Sequence, residues 1–133
     1  MKEITVLVDK SGSMNVLGKN AITNDLVKFL RLYPEMNSCD GKLTFIQQDW
    51  DGSNEELNRI CQNLKYFVIL TDGYTCNDNC ESTLQAISLD EHKHFAIVLV
   101  GADAFFRQIN TEKKISVFRA ADINVVADNF SRK

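Results

Sequence analysis

Short, almost wholly apolar runs recur along this chain, and between them lie stretches whose apolar residues fall at helical spacing. Ile4 to Val8, Leu43 to Ile46, Tyr66 to Thr71, Phe95 to Val100 and Ile115 to Phe118 read as strands. Three of these are so continuously apolar that both of their faces must be covered. The first helical stretch carries Val16, Leu17, Ala21, Ile22, Leu26, Phe29 and Leu30 on one stripe until Pro34 stops it. Asn54 to Leu64 repeats the pattern with Leu57, Ile60, Cys61 and Leu64, and further helices are expected at Ser82 to Leu89, Asp103 to Asn110 and Asp122 to Phe130. This alternation predicts an α/β fold: a three-layer sandwich with a mainly parallel, doubly wound sheet. With 133 residues, 44% of them apolar, there is material for one core, so residues 1–133 are expected to form a single domain.

A net charge of -3 gives no basic field for phosphate backbones or anionic lipid, so nucleic-acid and membrane partners are disfavoured. The apolar run near the N-terminus is short and ends in Asp9, which reads as a strand and not as a signal peptide. No segment approaches the roughly 20 apolar residues of a membrane span, and Ser131-Arg132-Lys133 carries no lipidation box. A soluble cytoplasmic protein is the expectation. Cys39, Cys61, Cys76 and Cys80 are scattered through a chain that has a sufficient core without them, so reduced thiols are expected. The spacing of Cys76 and Cys80 reads as a redox pair or half a zinc site. Against structural zinc, His92 and His94 are the only nitrogen ligands and no second cysteine pair follows.

In open parallel sheets, ligands collect beyond the carboxyl ends of the strands. Two strand exits stand out, Asp9-Lys10-Ser11-Gly12-Ser13-Met14 and Thr71-Asp72-Gly73. The first matches D-x-S-x-S, in which a tight turn aims the Ser11 and Ser13 hydroxyls at one spot with Asp9 behind them. Together the two exits resemble the metal-ion-dependent adhesion site of von Willebrand factor A domains. The likeness extends over the order of elements, from ITVLVDKSGSM through a long helix to YFVILTDGY and HFAIVLVGA. It implies Ser11 and Ser13 as direct ligands of Mg²⁺ or Mn²⁺, with Asp9 and Asp72 accepting hydrogen bonds from serines or metal-bound waters. It also implies a function: a dication with uncharged protein ligands keeps its charge for a partner's Asp or Glu.

The chain departs from that family in its third loop, where no Thr occurs between Asp49 and Leu64. Ser53 takes the Thr role provisionally, while Ser53 with Glu56 also spells a helix-capping box that needs no metal. Asp49 and Asp51 are the nearby acidic candidates if Ser53 only caps. The stretch from Pro34 to Ser53 is too short for the family's edge hairpin, so the sheet is expected to be trimmed at one edge. Lys10 reads as a solvated turn charge, Met14 as a residue packed at the head of the helix, and Tyr74 as either a rim aromatic or a partly buried ring. Asp78 and Glu81 would repel an acidic partner or bind a basic one.

Read plainly, Asp9 and Asp72 also suit ordinary turns at strand ends. The enzyme alternative is a metal-dependent phosphohydrolase or phosphotransferase. Ser11 stands where a second Asp would be needed, no P-loop run occurs, and His92 and His94 lie before the fourth strand, away from the metal loops. The other alternative is a structural assembly module with a degenerate metal site. The resemblance in brevity to small bacterial tellurite-resistance-like proteins points to a place in multi-protein assemblies by analogy alone.

Overall fold

In the computed structural model, residues 1–74, 76, 80–107 and 115–133 are described. The elements run β1 (Lys2–Asp9), α1 (Lys19–Met36), β2 (Leu43–Trp50), α2 (Asn54–Cys61), β3 (Tyr66–Thr71), α3 (Glu81–Leu89), β4 (His94–Leu99), β5 (Val117–Arg119) and α4 (Ile123–Ser131), with 3₁₀ turns over Gly12–Asn15 and Ala120–Asp122. The five strands form one sheet in the order β2-β1-β3-β4-β5, and every pairing is parallel. This is a Rossmann-like α/β sandwich. Among the described residues no helix is long and apolar enough to cross a membrane.

The pleat sorts the apolar strand residues into two cores. Ile4, Val6 and Val8, with Val68, Leu70, Ala96 and Val98, pack under Leu26, Val27 and Leu30 of α1 and Val126, Ala127 and Phe130 of α4. Leu7, Phe67, Ile69, Ile97 and Leu99 face the other way, against Leu57 and Cys61 of α2 and Leu84 and Ile87 of α3. Continuous apolar runs are therefore what a strand with a helix on each face requires, and the central strands have them.

Several boundaries differ from the sequence expectation. β2 runs on through Gln47, Gln48 and Asp49 to Trp50, because as an edge strand it needs only one apolar face, and all eight residues pair with β1. Pro34 does not stop α1. It sits in the last turn, buried, and the helix closes two residues later where the Asn37 backbone and side-chain amides both donate to Tyr33 O. Near a helix end, proline forfeits one hydrogen bond without breaking a long ladder. β5 begins at Val117, two residues late. The helix expected from Asp103 to Asn110 is absent over 103–107, which are turn and coil, and its remainder lies outside the described residues. Residues 37–42 between α1 and β2 form turns, so no strand extends the sheet beyond β2 there.

Candidate functional site

The strand order reverses between β1 and β3: the chain leaves β1 for β2 on one side and returns to β3 on the other. In open α/β sheets ligands bind beyond the carboxyl ends of the strands at such a switch point, and Asp9 and Asp72 stand at those two strand ends, both buried. Asp9 is buried, with each carboxylate oxygen filled from inside the protein. Ser11 N–H donates to its Oδ1 at 2.8 Å and the Thr71 hydroxyl donates to its Oδ2 at 2.6 Å. Thr71 Oγ1 in turn accepts from Gly73 N–H at 3.1 Å. Asp9 thus ties the serine turn to the exit of β3.

On that turn the Ser11 and Ser13 hydroxyl oxygens lie 3.4 Å apart, half-buried, while Met14 beneath them is packed into the core. Lys10 points to solvent. In an octahedral Mg²⁺ shell of roughly 2.0–2.1 Å bonds, neighbouring ligand oxygens stand about 3 Å apart, so the hydroxyl pair would have to close by a few tenths of an ångström to act as two adjacent ligands.

Asp72 is fully buried and does not face an open cavity. Its Oδ1 accepts from Tyr74 N–H at 3.2 Å, and its Oδ2 is 3.0 Å from the ammonium of Lys19. Sequence reasoning missed Lys19. It is the first residue of α1, a position where the helix dipole disfavours a cation, and its side chain is withdrawn from water beneath the 101–105 segment. What holds it is charge and hydrogen bonding: Nζ contacts Asp72, Asp103 Oδ1 at 3.0 Å, and the Ser13 carbonyl at 3.2 Å. Burial pushes its pKa down, but the bonds to Asp103 and Asp72 outweigh that and leave it raised above 10.5. The same ammonium holds the Asp103 carboxyl below its ordinary range. A signal was present in the sequence: Lys19, Thr23, Leu26 and Leu30 recur at helical spacing on the stripe that α1 buries.

The loop after β4 roofs this pair. Val100 N–H donates to Thr71 O and Phe105 N–H to Asp72 O, and Arg119 pins the loop through Ala104 O at 2.7 Å. Gly73 (φ +91°) and Gly101 (φ +101°) are where the roof comes closest: a Cβ on Gly73 would stand 1.7 Å from Phe105 O, and one on Gly101 2.8 Å from Lys19 Cε. Tyr74 is half-buried on the rim, its ring edge-on to Phe105, 5.5 Å from the Lys19 ammonium, and its hydroxyl near Asp103.

Ser53 belongs to a separate network. Its hydroxyl accepts from Glu56 N–H at 3.1 Å as the N-cap of α2, and its own N–H donates to Asp51 Oδ1 at 2.8 Å. Those bonds from Ser53 lower the Asp51 pKa. The capping box is displaced by two residues, since the Glu56 carboxylate reaches back to Asp51 N–H rather than to Ser53. Ser53 lines a surface hollow with Asp51, Glu55, Glu56 and Arg59, and none of Asp9, Ser11, Ser13 or Asp72 is on its walls. Asp49 is exposed on the edge strand, held to Gln47. Glu81 is exposed at the start of α3, and Asp78 lies outside the described residues.

Cys61, Cys76 and Cys80 are free and buried. Burial raises all three thiols, Cys61 and Cys80 to about 12. His94 stacks on Tyr66 at the opposite end of the sheet from Cys76 and Cys80. Among the described residues no group of three His, Cys, Asp or Glu side chains converges as a metal cluster. Asp72 is engaged by Lys19, so it could back an ion beside the two hydroxyls only after the ammonium released it.

Comparison with protein-family models, curated proteins and solved structures finds no match to the chain.

Proposed function

We propose that the chain is a von Willebrand factor A-like interaction module, without catalytic activity, that binds an exposed Asp or Glu of a protein partner at the β1/β3 switch point. Ser11 and Ser13 would hold Mg²⁺ or Mn²⁺, with Asp9 and Asp72 behind them and Ser53 as the provisional third-loop donor. A dication bound by neutral hydroxyls supplies unspent positive charge for the partner's carboxylate. The observation that carries this reading is the pair of hydroxyls 3.4 Å apart on a turn that Asp9 locks to β3. Asp9 then acts by positioning, because it is buried and each of its oxygens already accepts a hydrogen bond from the protein.

The Lys19–Asp72 pair favours a second reading, an assembly module that works without metal. The experiment is an anomalous difference map from a crystal soaked in Mn²⁺. A peak beside Ser11 and Ser13 supports the metal-bridged reading; a clean map at tens of millimolar Mn²⁺, with the loops free of lattice contacts, leaves the metal-free one. Ser13→Ala is the variant to carry into partner pull-downs. Asp9→Ala would instead orphan Ser11 N–H and the Thr71 hydroxyl and damage the fold.

A further inference from the structure

We propose that Lys19 is a tethered counter-cation that occupies the electrostatic place of a divalent ion at this switch point and thereby holds the site's affinity for divalent metal low. The inference rests on the reading of the switch point as a cation site, and it adds the residue that regulates it. Four observations point the same way. The Lys19 side chain is wholly withdrawn from water, which a lysine rarely accepts without a compelling partner. It sits at the N-terminal end of a helix, where the dipole opposes it. Its ammonium contacts Asp72, the carboxylate of the second motif, and the carbonyl of Ser13, one of the two hydroxyl residues of the first. Asp103, 35% exposed and delivered by the roof loop, completes the cage.

Asp72 and Asp103 carry two negative charges and Lys19 returns one positive, so the cage is left with one net negative charge in place of two. A dication entering beside Ser13 meets a fixed like charge and a carboxylate already engaged. Binding is therefore an exchange, in which the metal must win Asp72 from an ammonium that cannot diffuse away. Gly101 is part of the device: its lack of a Cβ lets the roof close over the lysine stem and keep it seated.

The test is Mn²⁺ binding, followed by electron paramagnetic resonance of free Mn²⁺ and by thermal unfolding with and without the ion, on wild type, Lys19→Met and Lys19→Arg. Wild type and Lys19→Arg are expected to half-saturate no lower than the millimolar range. Lys19→Met, similar in size and without charge, is expected to bind at least about tenfold more tightly and to gain melting temperature with Mn²⁺, since the metal then supplies the charge that Asp72 lacks. Should Lys19→Met fold only in Mn²⁺, that too supports the exchange. Micromolar binding by wild type, with Lys19→Met no tighter, overturns the inference and leaves the metal-bridged function standing. A folded Lys19→Met that binds no Mn²⁺, or one that fails to fold even with the ion, overturns the inference and removes support for a metal there altogether.

Discussion

Thr71 is the residue through which the two motifs are joined. Its hydroxyl donates to Asp9 and accepts from Gly73, so one oxygen fixes the serine turn and the exit of β3 together. Thr71→Val keeps the shape and removes both bonds, leaving a buried carboxylate oxygen short of a donor. It is expected to cost about 1–3 kcal/mol in urea unfolding, with Thr71→Ser close to wild type. Gly73 is constrained differently. At φ +91°, with Phe105 O where a Cβ would go, Gly73→Ala must shift the roof loop, and a loss of at least about 2 kcal/mol is expected by the same measurement. Lys19 shows the limit of reading residues singly: in sequence it is one more charge at a helix start, and its partners Asp72 and Asp103 are supplied by loops far along the chain.

At the scale of elements, α2 separates two roles that the sequence superimposed on Ser53. The cap is formed, so Ser53→Ala is expected to lower stability by about 1 kcal/mol while Ser53→Asp, which can also cap, stays near wild type. Mn²⁺ titration of the same variants decides the other role: an affinity unchanged in Ser53→Ala leaves Ser53 as a cap alone. The strands were legible because burial on both faces writes itself as unbroken apolar sequence, as in Tyr66–Thr71, whose bounds match the expectation. The polar half of β2 was illegible for the opposite reason. Gln47, Gln48 and Asp49 are held in the strand by pairing with Val6, Leu7 and Val8, a partnership that no local pattern announces.

For the whole molecule, the charges of the switch point tie stability to pH. The Asp103 carboxyl is held below its ordinary 3.8 by the Lys19 ammonium, so its contribution is present above about pH 4 and is lost as pH falls through the lower folded value. The Lys19 pKa is raised, so its contribution is complete below 10.5 and is lost only as pH climbs past the folded value. Wild type should therefore hold a constant stability margin over Asp103→Asn from mildly acidic to mildly alkaline pH, shrinking at the acid end, as read from melting temperatures. The two cores also set thiol reactivity. With Cys61, Cys76 and Cys80 buried and raised well above neutral, alkylation of the native protein at pH 8 should label Cys39 alone, and unfolding should expose all four. Rapid labelling of Cys76 or Cys80 in the native state would revive their reading as a redox pair.

The sequence by itself determined the layers and which carboxylates stand at the ends of the two central strands. Apolar periodicity dictates which segments are sheathed strands and which are one-faced helices, and Asp9 and Asp72 mark the ends of β1 and β3 whatever their partners. Only the tertiary structure decided what surrounds those carboxylates. Strand order brings β1 beside β3, and the loop after β4 folds back over them. Together they enclose an ammonium from the start of α1, so the nearest cation to Asp72 is a covalent part of the chain. Charge pairing of this kind acts through space across dozens of residues, where the short-range spacing that encodes helices and strands has no reach.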